Sequence, residues 1–315
     1  STVRMSYSEF MHFFQYAGTP IYSKNRNENT QEKEFLTCSP VEQYMISTGT
    51  RLFKGYENYD DVKRLVFDLE TGSLNPRVSR ITLNGVRTNK GFETVLEVKG
   101  NTKEEKDESE LQCIRNFLKI IFIEQPSIII GYNSENFDWN FLFTRLEELG
   151  SSMEEETKKL FPHPIYKKNK QTILKLGGEM EYYYPTIFWG YSIIDGLHAV
   201  RRAQAIDSNI KSANLKYMTK YAELNKRNRV YISGDKINAL WSETDEKEYA
   251  FNDKNGDWYK IDENHPLKED YVCKSGNYIV KRYNLDDIWE TDKVELRFNE
   301  SNFLLGKLLP TTFQR

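Results

Sequence analysis

"RLVFDLETG", residues 64–72, sets an apolar run against two carboxylates, Asp68 and Glu70, two positions apart. Successive side chains of a strand point to opposite faces, so these acids share one face of a segment that otherwise reads as buried. Like charges held that close repel unless something positive lies between them. The pair is therefore either a strand end fraying into the turn at "TGSLNP" or one edge of a metal site, and only the rest of the chain can decide.

Outward from this strand, "RITLNGVRTN" (80–89) and "GFETVLEVKG" (91–100) alternate apolar and polar residues and predict two further strands in a meander. The acidic run "NTKEEKDESE" leads into "LQCIRNFLKIIFIEQ", where Leu111, Ile114, Leu118 and Ile121 recur at helical spacing. "PSIIIGYN" reads as a short buried strand, and "FDWNFLFTRLEELG" as a helix ended by Gly150. "EMEYYYPTIFWGYSIIDG" has strand character, and "NLKYMTKYAELN" is helical. From "RVYISGD" to "GNYIVKR" the composition changes, and Asn255-Gly256 gives a hairpin turn signal. "YNLDDIWETDKVELRFNE" (283–300) is again a helix.

Strands followed by alternating strands and helices predict an α/β or α+β domain with a mixed sheet. The expected organisation is a small N-terminal subdomain (1–62), a main domain (63–298) with a β-rich insertion at about 229–280, and a linker (299–315).

At 315 residues the chain can bury a large core, and 29% charged with 38% hydrophobic residues suits a globular protein. Three cysteines, Cys38, Cys113 and Cys273, show no CxxC spacing, which argues for a reducing compartment and against a disulfide frame or zinc. No apolar stretch is long enough to cross a bilayer, and no signal peptide opens the sequence. The net charge of −3 is unevenly placed. Residues 201–229 hold eight basic residues (Arg201, Arg202, Lys211, Lys216, Lys220, Lys226, Arg227, Arg229) against Asp207 and Glu223, either a solvated helical face or a track for a phosphate backbone.

Two further pieces complete the opening pair. In "GYNSENFDWNFLFTR", Asn133 and Asp138 bracket a loop that follows a buried strand and opens a helix, where Asp138 could also be a simple N-cap. In "YNLDDIWET", Tyr283 and Asp287 stand four apart and share a helix face. Each piece alone is unremarkable. Together, "FDLET", "YNSENFD" and "YNLDD" resemble the three motifs of the DEDD 3′→5′ exonuclease superfamily in its tyrosine subclass, and look most like the proofreading domain of family B DNA polymerases. The resemblance runs from about Arg64 to Glu295. "SIIDGLHAVRR" and "NLKYMTKYAEL" also look like segments of that family.

The resemblance implies a ribonuclease H-like sheet and two divalent metal ions, Mg²⁺ or Mn²⁺, held by Asp68, Glu70, Asp138 and Asp287. Hard oxygen donors suit these ions and not zinc. By the family pattern Asp68 bridges both ions. Glu70 and Asp287 hold the one that generates the attacking hydroxide, and Asp138 helps hold the one at the leaving 3′ oxygen. Tyr283 orients the water or the scissile phosphate. Asn133 and Phe137 match positions near the terminal nucleotide, and Thr71 and Leu74 could line its base and sugar. In the family-like segment, Asp195 reads as structural and His198 as packed, while Arg145 could reach the phosphate or the Asp138 loop but reads rather as a helical salt-bridge partner.

A rival third motif, His265 and Asp270 in "HPLKED", has the spacing of the histidine subclass. Pro266 follows the histidine and the stretch reads as a loop, whereas the family's third motif sits on a helix. The tyrosine assignment is therefore adopted.

"FLLGKLLPTTFQR" resembles the segment leading toward the palm of such a polymerase, while the signatures Asp-Thr-Asp, SLYPS and KxxxNSxYG are absent. The expectation is a piece of a longer polymerase of phage style, or else a naturally split chain. It would act in the cytoplasm, that of a bacterial host if phage, on single-stranded or frayed 3′ ends of DNA, with the polymerase domain of its parent chain as partner and no membrane. Two alternatives stay open: an exoribonuclease of the same superfamily, and a catalytically silent nucleic-acid-binding module, against which four intact acids argue.

Overall fold

The computed structural model describes residues 40–176, 179–226, 229, 231–232, 234–242, 248–252, 257–260 and 271–309. Two compact units are present, Glu57–Glu300 and a smaller one formed by Ser1–Tyr56 with Ser301–Arg315. In the smaller unit, helix α1 (Pro40–Thr48) leads to a turn whose Leu52 N–H donates to Gly306 O at 3.1 Å. Phe53 packs on Phe303 with ring centroids 4.8 Å apart.

The larger unit is built on β1 (Arg64–Thr71), β2 (Ile81–Thr88) and β3 (Glu93–Glu97), an antiparallel meander. Helix α2 (Lys103–Glu124) follows, then β4 (Ile128–Gly131), α3 (Asp138–Glu148) and α4 (Met153–Lys158). The short strands β5 (Tyr166–Lys167), β6 (Thr172–Leu176), β7 (Glu179–Tyr183) and β8 (Thr186–Ile187) form two hairpin-like pairs, β5 with β8 and β6 with β7. Strand β9 (Ser192–Asp195) returns to the main sheet, whose order is β3-β2-β1-β4-β9. Because β4 pairs parallel with both β1 and β9, the sheet is mixed, as the sequence predicts.

Helices α5 (Gly196–Ile206), α6 (Leu215–Tyr221) and α7 (Gly234–Ser242) come next. A three-stranded antiparallel sheet follows, β10 (Glu248–Asn252), β11 (Asp257–Lys260) and β12 (Tyr271–Ser275), and the chain then enters α8 (Gly276–Leu308). Strands β10 and β11 pair on either side of the expected Asn255-Gly256 turn, which itself lies outside the described residues.

Local signals explain the helix limits. Thr102 caps α2 by accepting from Glu105 N at 3.1 Å, and Glu105 Oε2 accepts back from Thr102 N at 3.3 Å and from Asn101 N at 2.7 Å. This capping box starts the helix eight residues before the apolar periodicity does, so the acidic run lies inside it. At the end of α3, Gly150 (φ 74°) lets its own N–H reach Glu147 O and that of Ser151 reach Leu146 O, a Schellman closure that confirms the expected stop. Helix α8 starts seven residues before Tyr283, so "GNYIVKR" forms its first two turns and not part of a β element.

Strand β1 is covered on both faces. Leu65, Phe67 and Leu69 point to a core shared with Ile114, Phe117, Leu118 and Ile121 of α2 and Trp139 and Leu142 of α3. Phe67 stands 4.8 Å from Phe117 and 5.1 Å from Trp139, centroid to centroid. The alternate residues therefore face α8. Among the described residues no helix is long and apolar enough to cross a membrane.

Candidate functional site

The position of α8 follows from its acids, which are buried and ion-paired or hydrogen-bonded. Asp292 accepts from Arg64 Nε at 3.1 Å, which ties the helix to the first residue of β1. Glu295 accepts from the Tyr59 hydroxyl at 2.9 Å. Asp286 pairs with Lys226 at 2.7 Å and Glu290 with Arg229 at 3.0 Å. A charge this deep is tolerable only when paired or hydrogen-bonded, so these contacts fix the helix against β1, the turn before it and the segment that holds Lys226 and Arg229.

Held in this way, α8 brings Asp287 to the even face of β1. One carboxylate oxygen from each of Asp68, Glu70 and Asp287 lies within 4.8 Å of the others. Asp138 stands beside them but outside this closest group; it is buried, and its Oδ1 accepts from the backbone N–H of Leu69 at 3.1 Å. It occupies the first turn of α3 and is not the N-cap, a place taken by Phe137.

Electrostatics confirm the crowding. Burial, then the charges of Glu70, Asp138 and Asp287, hold the Asp68 carboxyl well above the usual carboxylate range. Burial and Asp287 push Glu70 up to about 8, against the pull of an Asn284 hydrogen bond. Burial pushes Asp138 up to about 7, the Leu69 N–H opposing it. Asp287 is also raised by burial, although Arg229 and Lys216 act the other way. These acids carry more negative charge than Arg229 and Lys216 offset, and a bound cation would supply the remainder. The donor set is all carboxylate, which fits Mg²⁺ or Mn²⁺.

Tyr283, buried on the same face of α8, receives a hydrogen bond from Lys216 Nζ and donates to Asp287. Lys216 also lies 4.2 Å from the centre of the Tyr283 ring. Part of the basic stretch is thus turned inward: Lys216 to Tyr283, Lys226 to Asp286, and Arg229 to Asp287 and Glu290. Arg201 and Lys211 instead line a cleft of about 770 Å³ together with Tyr132, Asn133, Lys216 and Asp287. Of the residues expected at the nucleotide, only Asn133 lines this cleft. Leu74 is exposed in the loop after β1, the Thr71 hydroxyl donates to Ser73 O at 2.9 Å, and Phe137 packs on Phe141 at 5.5 Å.

The loop carrying Asn133 and Asp138 is held by Asp195, the last residue of β9. Its carboxylate accepts from Asn133 N at 2.8 Å, Glu135 N at 3.0 Å and, as N-cap of α5, Leu197 N at 3.0 Å. This support allows Asn133 its left-handed φ of 60°. Glu135 is clamped in turn by Lys167 Nζ at 3.0 Å and the Thr186 hydroxyl at 2.6 Å. His198 is buried against Tyr183, as expected of a packed histidine. Arg145 does not bridge along its own helix. It makes a two-pronged pair with Glu110 of α2, both contacts 2.8 Å, because β2 leaves the Glu110 carboxylate buried beside it. His265 and Asp270 lie outside the described residues.

Asn284 and Lys216 carry parts of this site that sequence reasoning left unassigned, while Asp195 takes the structural role expected of it. The signal for Asn284 was available: three residues before Asp287, it falls on that residue's helix face.

The fold and site define a mixed-sheet α/β domain that gathers carboxylates from a central strand, a strand-to-helix loop and a packed helix beside a partly basic cleft. Residues 27–218 match the family model of the DNA polymerase family B exonuclease domain, more than half of the chain, and the chain belongs to this family. Tyr283 and Asp287 lie beyond the matched residues, so their membership of the site rests on geometry.

A DNA polymerase of Archaeoglobus fulgidus is 34% identical over 93 residues, 28% of this chain and 11% of that polymerase. The solved family B DNA polymerase of the hyperthermophilic archaeon Pyrobaculum calidifontis shares the fold, with a TM-score of 0.51 at 22% identity over 78% of this chain and 25% of its own. The chain therefore spans between about a tenth and a quarter of the length of these relatives.

Proposed function

We propose that this chain removes nucleotides from the 3′ ends of DNA, as a metal-dependent 3′→5′ exonuclease of the proofreading type. The observation that carries the reading is the meeting of Asp68, Glu70 and Asp287, from β1 and α8, within 4.8 Å, with Asp138 bound to the backbone between the first two. These four residues would hold two divalent cations, Mg²⁺ or Mn²⁺. Bound there, such ions supply charge neutralisation at the phosphodiester and an activated water.

The chain's own residues do the rest in this reading. Tyr283, held by Lys216, presents its hydroxyl to the water or the scissile phosphate. Asn133, fixed by Asp195, and Phe137 meet the terminal nucleotide, while Thr71 and Leu74 approach its base and sugar from the end of β1 and the loop after it. Arg201 and Lys211 receive backbone phosphates. The proposed setting is a longer family B polymerase, of phage style, working in the cytoplasm of its host with the polymerase domain of the same chain.

The test incubates the chain with Mg²⁺ and end-labelled single strands of DNA and RNA, beside an Asp68→Ala/Glu70→Ala double variant. Metal-dependent shortening of DNA from the 3′ end, absent in the double variant, is expected. No shortening would sink the enzyme reading, equal shortening by the variant would show the site misassigned, and preference for RNA would make the chain an exoribonuclease.

A further inference from the structure

We infer that Asn284 is a positioning residue that aims the two carboxylates of β1, and that Gly85 is glycine to make room for it. The inference rests on the metal-holding role proposed for Asp68 and Glu70. Asn284 is fully buried on α8. Its Nδ2 donates to Asp68 Oδ2 at 2.9 Å and to Asp68 O at 3.2 Å, and it lies 3.5 Å from Glu70 Oε1.

An amide nitrogen carries two hydrogens, enough to serve both acids at once, and each carboxylate keeps a second oxygen. The reverse amide orientation would set Oδ1 against the same oxygens, so the chemistry of the neighbours fixes which end faces them. The donor is also neutral. A lysine at this place would neutralise the acids, whereas an amide orients them and leaves their charge for a cation. Outer hydrogen bonds of this kind orient the ligands of a metal site and tune its affinity.

The far end of the amide explains Gly85. Asn284 Oδ1 is buried with no hydrogen-bond partner among the described residues and abuts Gly85, which pairs with Asp68 in the β1–β2 register. A Cβ on Gly85 would collide with Asn284 Oδ1 and press on its Cγ at 2.9 Å. The backbone of Gly85 does not need glycine for a left-handed turn, since it lies inside a regular strand. What it needs is the absence of a side chain, so that α8 can bring the amide over Asp68.

The test measures Mn²⁺ binding by calorimetry at fixed pH, with thermal melting and strand shortening alongside, for the wild type, Asn284→Ala, Gly85→Ala and the double variant. Asn284→Ala is expected to weaken Mn²⁺ binding about 10–100-fold. Gly85→Ala should do the same by displacing the amide, and the double variant should bind no more weakly than Asn284→Ala alone. Melting should recover in the double variant, because the truncated side chain vacates the space the new methyl needs. Unchanged Mn²⁺ affinity in Asn284→Ala, or losses that add in the double variant, would overturn the inference while leaving the site intact. A wild type that binds no Mn²⁺ would overturn the site reading and this inference with it. If Gly85→Ala fails to fold, Asn284→Ala decides alone.

Discussion

Asp138 Oδ1 accepts the backbone N–H of Leu69, the residue between Asp68 and Glu70. Pairing of β4 with β1 covers only Arg64–Val66, so this N–H lies beyond the ladder and takes a side-chain acceptor instead. One hydrogen bond thereby ties the loop after β4 to the acids of β1. Asp138→Asn keeps an acceptor in place, whereas Asp138→Ala orphans a buried N–H. The alanine variant should therefore be less stable than the asparagine variant by about 1–3 kcal/mol, read from denaturant midpoints. Both variants should lose metal-dependent cutting.

The raised carboxyls make the metal-free chain sensitive to pH. Glu70 titrates near 8 and Asp138 near 7 when folded, against about 4 in an unfolded chain. Between these values the folded state binds more protons than the unfolded one, so stability falls as pH rises. The melting temperature without metal should drop from pH 5 to pH 8. Added Mg²⁺ should raise it more at pH 8 than at pH 5. A flat metal-free profile would contradict the crowding of acids described above.

Arg145 and Glu110 form a buried pair that also braces the neighbouring backbone: Glu110 Oε1 accepts Ile81 N at 2.9 Å, and Arg145 Nη1 donates to Pro76 O at 2.9 Å. Removing Arg145 takes away both short contacts and leaves the buried Glu110 carboxylate with Arg80 at 3.9 Å. Arg145→Ala should cost about 3–5 kcal/mol in urea unfolding. Because neither residue reaches the carboxylate cluster, cutting measured well below the melting temperature should be largely retained.

Asp195 supports the loop without touching the carboxylate group of β1 and α8. Asp195→Asn replaces one acceptor oxygen by an NH₂ that faces backbone N–H groups. The rate of strand shortening should fall, and stability should drop by about 1–3 kcal/mol. Wild-type rates in this variant would show that the loop holds its shape without the anchor.

The strands, the helix over 137–150 and the mixed sheet were legible because their signals are local: alternation, apolar runs and a terminal glycine. Asp68 and Glu70 were legible as a pair because the strand period alone gives them a common face. The early start of α2 was hidden behind an acidic run whose meaning lies in the Thr102–Glu105 cap. Asp195 was legible as structural and Asn284 by its helix face, but the contacts of Asn284 and Lys216 were not, because each acts across elements far apart in sequence. Gly85 belongs with them: its reason is the amide of a helix about two hundred residues later in the chain. The basic stretch at 201–229 misled in part, since charge density on a line of sequence does not reveal which side chains turn inward to buried acids.

The central claim is that Asp68, Glu70, Asp138 and Asp287 form one cation cradle. Anomalous diffraction from crystals soaked in Mn²⁺ with a short single strand of DNA tests it most directly. Two peaks are predicted at these carboxylates, about 3.5–4 Å apart as in two-metal phosphodiester sites, with the 3′ end of the strand beside them. Peaks elsewhere, or none at these four residues, would contradict the account.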